Sequence, residues 1–181
     1  RQLHPLVADF VGRRTRRFTS SSRLPPFGRV LEVLRRYNLL PVIFFLKSRA
    51  DCDQAIEGCR DHIPEDRVRR QRLTTRIAEL TRQNPRLAGH RQIPFLQEQA
   101  VGAHHAGQLP AWKMTLERLM TEGLLDAVFA TTTVAAGVNF PARTIVLLNS
   151  DRFNGTQFLP LDATEFHQMT GRAGRRGMDN I

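Results

Sequence analysis

The apolar run "PVIFFL" (residues 41–46) restricts the fold of this chain more than any other feature of its sequence. A continuous apolar run of strand length is typical of a parallel β-strand that is buried on both faces, whereas a half-exposed strand alternates apolar and polar residues. Even with the two leucines before it, the run is far shorter than the roughly 18 residues of a membrane-spanning helix. It therefore predicts a sheet that is covered by helices on both sides.

The rest of the chain alternates between helical and strand-like patterns. Asn154-Gly155, between short stretches with aromatic residues, predicts a β-hairpin in residues 150–162, and Asp162 with Glu165 forms a capping pair for the last helix. Strands that alternate with helices predict an α/β fold with a mainly parallel sheet. Helices are predicted in residues 28–40, 48–59, 65–91, 94–100, 110–123, 132–137 and 163–169, and further strands in residues 101–105, 125–131 and 144–149.

Two segments stand apart from this alternation. Residues 1–27 are basic and rich in serine, and they are predicted to form an entry linker to one domain of residues 28–181. Residues 65–91 are rich in arginine and carry apolar residues at helical spacing, which predicts a charged helical insertion. Its charges favour a solvated helix face over a nucleic-acid groove. Both ends of the chain are expected to be cuts in a longer protein.

The net charge of +10 indicates a polyanionic partner, of which nucleic acid is the commonest. Arginine supplies all but two of the 27 basic residues, and an arginine-favouring genome would produce the same excess without any binding. Charge alone leaves both interpretations open.

The cysteine and histidine patterns argue against a metal site. Cys52 and Cys59 lie seven residues apart without a CxxC pair, so neither a zinc site nor a disulfide framework is predicted, and a reduced, cytoplasmic protein is expected. His104 and His105 are neighbours on a predicted strand, so their side chains point apart and lack a third ligand nearby. No Ser/His/Asp or Cys/His set has the spacing of a nucleophilic site.

Two glycine-containing stretches have the chemistry to meet phosphate. In "ATTTVAAGVNFPA" hydroxyl and amide groups follow a strand, which suits a phosphate oxygen, although a junction with capping threonines has the same pattern. In "GRAGRRG" guanidinium groups match phosphate geometry, although a disordered basic tail has the same composition. No GxxxxGK[ST], DExH or DEAD sequence occurs, so these arginines would act on a nucleotide that another domain holds, as arginine fingers do.

Four stretches, in this order and at this spacing, resemble motifs IV, IVa, V and VI of the superkiller-type DExH-box helicases of helicase superfamily two. The resemblance covers about residues 29–179 and implies a second RecA-like domain, with a three-layer fold and a β-hairpin before the last helix. A first RecA-like domain of the same chain would carry the nucleotide-binding motifs. The stretches are "PVIFFLKSRADC", "HHAGQLP", "ATTTVAAGVNFPARTIV" and "QMTGRAGRRGMD".

The resemblance implies a set of residues that face ATP. Arg172 and Arg175 match the two arginines that reach the γ-phosphate, with Arg175 as the finger. Gln168 matches the motif VI residue that links the ATP site to the rest of the cleft, and Gly137 and Asn139 match motif V positions that face the nucleotide. ATP and Mg²⁺ would be bound mainly by the first domain.

The resemblance also implies a nucleic-acid-binding set. Thr131 matches the motif V threonine that holds a backbone phosphate. Ser48 and Arg49 of motif IV, and His105 and Gly107 of motif IVa, match positions near the backbone of the bound strand.

The function implied is the C-terminal motor domain of an ATP-dependent nucleic-acid helicase. Its expected partners are single-stranded nucleic acid and the first RecA-like domain, with no membrane, and the hairpin of residues 150–162 would help to split the duplex. RNA is favoured over DNA because Arg176 stands where some DNA-unwinding relatives have proline. A DNA-repair helicase domain and a non-catalytic nucleic-acid-binding module with the same fold are the alternatives.

Overall fold

The computed structural model describes residues 24–131, 141–149, 151–153 and 156–171. Within these ranges, none of the helices is long and apolar enough to cross a membrane. A short 3-10 turn, Pro85–Leu87, lies between the third and fourth helices. The elements, in chain order, are α1 (Phe27–Arg36), β1 (Val42–Leu46), α2 (Arg49–Glu57), α3 (Arg67–Gln83), α4 (Ile93–Gln99), β2 (Val101–His104), α5 (Pro110–Thr121), β3 (Ala127–Thr131), β4 (Thr144–Leu147), β5 (Asp151–Phe153), β6 (Phe158–Pro160) and α6 (Ala163–Thr170).

Four parallel strands form the central sheet in the order β2-β3-β1-β4. They start level with one another, because Ala127 of β3 lies opposite both Val42 of β1 and Val101 of β2. Every residue of β1, β2 and β3 is buried, whereas β4 at the edge is half-buried. The continuous apolar run thus forms an inner parallel strand, and the carboxyl ends of the strands emerge together at one edge of the sheet.

Helices α1 and α2 cover the first face of the sheet. The rings of Phe27, Phe44 and Phe129 lie in contact there, with centroids 4.9–5.2 Å apart. Cys52 and Cys59 are buried in the same layer as unpaired thiols. Burial raises the pKa of both thiols, that of Cys59 to about 12, so both stay protonated at neutral pH.

Helices α3, α5 and α6 pack on the second face. Their buried side chains meet Ile43 and Phe45, which alternate along β1 with the residues that point to the first face. Arginine-rich α3 inserts Leu73, Ile77 and Leu80, a spacing of four and three that keeps one helix face apolar. The residues buried on this face from α5 and α6 are Trp112, Leu116, Leu119, Met120 and Met169.

The predicted α/β class, with its three layers and mainly parallel sheet, is confirmed. The hairpin is also present, because β5 and β6 pair antiparallel with Asp151 opposite Pro160. The predicted capping pair forms too: Asp162 accepts a hydrogen bond from the amide of Glu165 at 2.7 Å, and the Glu165 carboxylate accepts one from the amide of Asp162. The helix predicted in residues 132–137 and the turn residues Asn154-Gly155 lie outside the described residues.

Three details of the helical predictions differ from the structure. The helix predicted over residues 65–91 ends at Gln83, because Asn84, the residue before Pro85, is extended. The first helix ends at Arg36 rather than near residue 40, because Asn38 takes a left-handed conformation with φ of 56°.

Val68, which the α3 pattern places with the apolar residues, is 71% exposed, because it lies five residues before Leu73 and nine before Ile77 and therefore on the opposite side of the helix. The division of the chain into linker, domain and insertion stays a prediction.

A buried carboxylate joins the layers at the amino edge of the sheet. Asp126, the residue before β3, is fully buried, and it accepts hydrogen bonds from His62 at 2.8 Å and from Arg69 of α3. The guanidinium of Arg35, on α1, lies 3.6 Å away. Burial alone would raise the pKa of Asp126, but the His62 hydrogen bond and the Arg69 charge outweigh it and hold the pKa below its ordinary value.

The Asp126→Asn variant tests this cluster. We expect the free energy of unfolding at pH 7, measured by urea titration, to fall by about 3 kcal/mol, because Arg69 and Arg35 lose their buried counter-charge and His62 loses its carboxylate acceptor. Asp61→Asn removes an exposed carboxylate nearby and should change the same quantity by less than about 0.5 kcal/mol.

Acid titration gives a second test of the cluster. Because the pKa of Asp126 is lowered on folding, its ionised form stabilises the chain above about pH 4, and that stabilisation is lost as pH falls through the folded-state value. The stability difference between the wild type and Asp126→Asn should therefore shrink as pH falls below about 4. A difference that stays constant down to the acid transition would contradict this account.

Candidate nucleic-acid interface

Three neighbouring strands bring the predicted nucleic-acid-binding residues to one edge of the sheet. Thr131 ends the central strand β3 and lies opposite Leu46, the last residue of β1. Ser48 follows two residues after Leu46, and His105 directly follows β2. Ligands of open α/β sheets bind beyond the carboxyl ends of the strands. Residues that are distant in the sequence thus meet where such a sheet offers a binding surface.

Ser48 and Arg49 form the start of α2. Ser48 is the helix N-cap, and its Oγ accepts a hydrogen bond from the amide of Asp51 at 3.1 Å. Arg49 is exposed and passes over Gly107, because a Cβ atom at Gly107 would lie 3.4 Å from Cδ of Arg49 and 3.1 Å from Nδ1 of His105. Glycine therefore allows the Arg49 side chain to lie close to the backbone of the loop after β2.

His105 supports this loop from inside the protein. Its imidazole is 3% exposed, and its Nδ1 accepts a hydrogen bond from the amide of Gly107 at 3.1 Å. Because Nδ1 is an acceptor, the proton of a neutral ring lies on Nε2, which is 3.4 Å from Oδ1 of Asp53. As predicted, the two neighbouring histidines point apart, since His104 lies 3.3 Å from Glu117 of α5.

Asp53, on α2, is the centre of a polar network behind the interface. Its carboxylate accepts hydrogen bonds from Arg91 and from Nε2 of Gln92, the latter at 3.0 Å. Gln92 is 3% exposed, and its Oε1 accepts a hydrogen bond from the amide of Ala103 in β2 at 2.9 Å. The segment before α4 is thereby joined both to α2 and to the end of β2.

His90 extends the network to α5. Its ring stacks on Trp112, with centroids 3.7 Å apart and planes 12° from parallel. Its Nδ1 accepts from the amide of Gln92, and its Nε2 lies 2.9 Å from Oε1 of Gln108. Burial lowers the pKa of His90, so the ring is neutral at pH 7. The Asp53 network is defined as Asp53, His90, Arg91, Gln92, His105 and Gln108.

An ion pair connects the interface to the hairpin. Nζ of Lys47, directly after β1, lies 2.9 Å from the carboxylate of Asp151, the first residue of β5. Both side chains are about one third exposed, so the pair contributes little to stability. Its effect is to place the hairpin beside the carboxyl end of β1, on the same edge as Thr131, which is 7% exposed.

The predicted ATP-facing residues are described only in part. Gln168 is exposed on the last turn of α6, and the next residue, Met169, is fully buried on the second face of the sheet. Gly137, Asn139, Arg172, Arg175 and Arg176 lie outside the described residues. Their roles stay predictions, as do those of the nucleic-acid-binding set.

Sequence reasoning missed Asp53, His90 and Gln92. Asp53 directly follows the motif IV stretch, and His90 and Gln92 lie between α3 and α4. No spacing pattern in the sequence indicates that residue 53 contacts residue 92 or 105. In the part of the chain that the structure describes, no group of three His, Cys, Asp or Glu side chains is placed to hold a metal ion. The interface residues include the guanidinium of Arg49 and the hydroxyl groups of Ser48 and Thr131, which are groups that can bind phosphate oxygens.

The sequence of this chain is similar to the sequences of several known proteins. No protein-family model matches the chain. The chain is 41% identical over 181 residues to the probable helicase HelY of Mycobacterium tuberculosis, an alignment that covers 96% of this chain and 20% of that protein. It is 35% identical over 156 residues to the exosome RNA helicase MTR4 of Homo sapiens, which covers 84% of this chain and 15% of that protein.

A further relative is superkiller complex protein 2 of Mus musculus, 37% identical over 157 residues, with 83% of this chain and 12% of that protein covered. The chain spans a fifth or less of the length of these three curated relatives. Because a bacterial protein and two mammalian proteins align with most of the chain at such identities, the chain belongs to the family of superkiller-type DExH-box helicases.

Proposed function

We propose that the chain is the C-terminal, second RecA-like motor domain of an ATP-dependent helicase that acts on RNA. It supplies Arg175 as the arginine finger, with Arg172 beside it, to ATP and Mg²⁺ that are held mainly by the first RecA-like domain of the same protein. Gln168, Gly137 and Asn139 face the nucleotide from this side of the cleft. ATP binding closes the two domains, and hydrolysis reopens them.

The observation that most supports this proposal is the meeting of motif IV, motif IVa and motif V residues at one edge. Arg49 lies against Gly107, and Ser48 closely follows β1, whose last residue lies opposite Thr131. Guanidinium, hydroxyl and backbone amide groups in this arrangement suit the phosphates of a single strand, which carry no sequence information. The hairpin beside Lys47 would then help to split the duplex ahead of the bound strand.

RNA is the favoured substrate because relatives of this chain are named RNA helicases, among them MTR4 and the chloroplastic DExH15 of Arabidopsis thaliana. Arg176 in motif VI favours the same choice. A DNA-repair helicase domain would show ATPase stimulation by DNA rather than RNA. A non-catalytic binding module would bind the strand in a protein that lacks ATP turnover. Two buried thiols fit a reduced, cytoplasmic setting.

The 181-residue chain by itself should hydrolyse no ATP, because its sequence contains neither a phosphate-binding loop nor an acidic box. Phosphate release in the presence of single-stranded RNA measures this directly. Turnover well above the buffer background by the pure chain would contradict the proposed division of roles between two domains.

Thr131→Val should weaken the binding of single-stranded RNA about fivefold, because valine keeps the shape of the side chain but loses the hydroxyl that meets phosphate. Fluorescence anisotropy with a uridine oligomer and with a mixed-sequence oligomer should give the same loss. Thr74→Val, at an exposed position of α3, is the matched control and should bind as the wild type does.

Wild-type affinity should also fall steeply with salt, because binding to the phosphate backbone releases counterions. An affinity that is independent of salt, or a Thr131→Val loss confined to one oligomer, would speak against contact through the phosphates.

Arg175→Ala, in the protein that includes both RecA-like domains, should lower ATP turnover about 10³-fold while ATP affinity changes little. The guanidinium of Arg175 would interact with negative charge that develops on the transferring phosphoryl group. Its removal therefore destabilises the transition state more than it destabilises bound ATP. Arg175→Lys should not restore turnover, because lysine lacks the planar fork. Steady-state kcat and KM separate the two effects.

Arg82→Ala removes an exposed arginine of α3 and serves as the control of equal charge change. If Arg172→Ala abolishes turnover while Arg175→Ala does not, the arginine finger is Arg172 rather than Arg175. Near-normal turnover in both variants would count against an arginine finger in this chain.

A further inference from the structure

We propose that Asp53 is a positioning residue for the nucleic-acid interface, acting through His105 and Gly107 on the surface that Arg49 shares with the loop after β2. This inference rests on the proposed function, since the surface it positions is the one proposed to hold the strand. No motif described above assigns a role to Asp53.

The carboxylate of Asp53 reaches two segments that are separate in the sequence. Oδ1 lies 3.0 Å from Nε2 of Gln92 and 3.4 Å from Nε2 of His105, and Oδ2 accepts from Arg91. Gln92 in turn accepts from the amide of Ala103 near the end of β2. One side chain of α2 thus fixes both the segment before α4 and the residue that opens the loop after β2.

The imidazole of His105 connects Asp53 to the exposed loop after β2. Its Nδ1 accepts from the amide of Gly107, so the proton of the neutral ring lies on Nε2. Two groups lie near that nitrogen, the amide Nε2 of Gln108 at 3.2 Å and Oδ1 of Asp53 at 3.4 Å, and of these only the carboxylate oxygen can accept the proton. The carboxylate therefore favours one tautomer and one ring orientation, and the ring orients the Gly107 amide. The backbone of Gly107 lies against Cδ of exposed Arg49. Loss of Asp53 should let the ring turn and should loosen the surface beside Arg49.

Electrostatics alone predicts the opposite outcome. Asp53 places negative charge behind a surface proposed to bind phosphate, so its removal would strengthen binding if only charge mattered. Positioning predicts that its removal weakens binding. The sign of the change therefore separates the two explanations. Asp51, two residues earlier on α2, provides the matched control, because it carries the same charge and lies outside the Asp53 network.

The experiment measures the dissociation constant of the chain for a fluorescein-labelled single-stranded RNA oligomer at several salt concentrations. Asp53→Ala should weaken binding about tenfold and reduce the slope of log affinity against log salt by about one, the loss of roughly one phosphate contact. Asp51→Ala should bind as tightly as the wild type or slightly more tightly. Asp53→Asn keeps an acceptor oxygen for His105 and Gln92 and should stay within about threefold of the wild type.

A double-mutant cycle tests the route through the imidazole. If Asp53 acts through His105, Asp53→Ala combined with His105→Ala should weaken binding no more than the stronger single variant. Additive losses would overturn that route. Urea titration of each variant ensures that binding is compared between folded proteins. If Asp53→Ala does not fold, Asp53→Asn and His105→Ala decide the question: unchanged binding in His105→Ala, or a tenfold loss in Asp53→Asn, overturns the proposal.

The outcomes also distinguish this inference from the proposed function. A wild-type chain that binds no RNA at any salt concentration overturns both. A wild-type chain that binds RNA, with Asp53→Ala as tight as Asp51→Ala, overturns the positioning role alone.

Discussion

Burial of β1, β2 and β3 along their whole length is the constraint on which the rest of this structure depends. Strands covered on both faces leave little room for polar side chains along their length, so polar chemistry is confined largely to the positions where strands begin and end. Asp126 stands just before β3, and Thr131 is its last residue. A polar cluster therefore lies at each end of β3, and the length of that strand, about 17 Å, separates the two clusters.

The two clusters have different physical roles. Asp126 is fully buried and is surrounded by guanidinium groups from α1 and α3 and by the imidazole of His62 in the segment after α2, so it specifies how the layers meet. Such a buried pair adds less net stability than its geometry suggests, because desolvation offsets most of the attraction, and its clearest effect is seen when one partner is lost. The Asp53 network lies at the opposite edge, where Gln92, His105 and Gln108 are buried and Arg91 is exposed. Its hydrogen bonds orient a loop rather than join whole layers.

Most of the fold could be predicted from the sequence, because its elements are short and locally specified. The apolar run of β1 and the apolar spacing of α3 reflect burial directly, and the Asp162–Glu165 capping pair is local in sequence. The left-handed conformation of Asn38 could not be predicted, since no local pattern specifies it. The exposure of Val68 was predictable, because its spacing of five residues from Leu73 puts it on the opposite side of α3. The predicted strand ends indicated that one edge of the sheet would carry Ser48, Arg49, His105, Gly107 and Thr131, and the roles of these residues stay predictions. Hydrogen bonds from Asp53 to residues 92 and 105 form only after the strands align, so no local pattern contains them.

The two buried thiols allow the opening of the layer on the first face of the sheet to be measured by chemical labelling. Cys52 and Cys59 are the only cysteines of the chain, and each is buried and held protonated in the layer that covers the first face of the sheet. Alkylating reagents attack the thiolate, so in the folded chain they can react only when this layer opens. The rate of labelling therefore gives a local opening free energy for the layer that carries the start of α2, without any probe being introduced. A cysteine added at an exposed position would react alone, which lets a single dye be attached there while both native thiols stay unmodified.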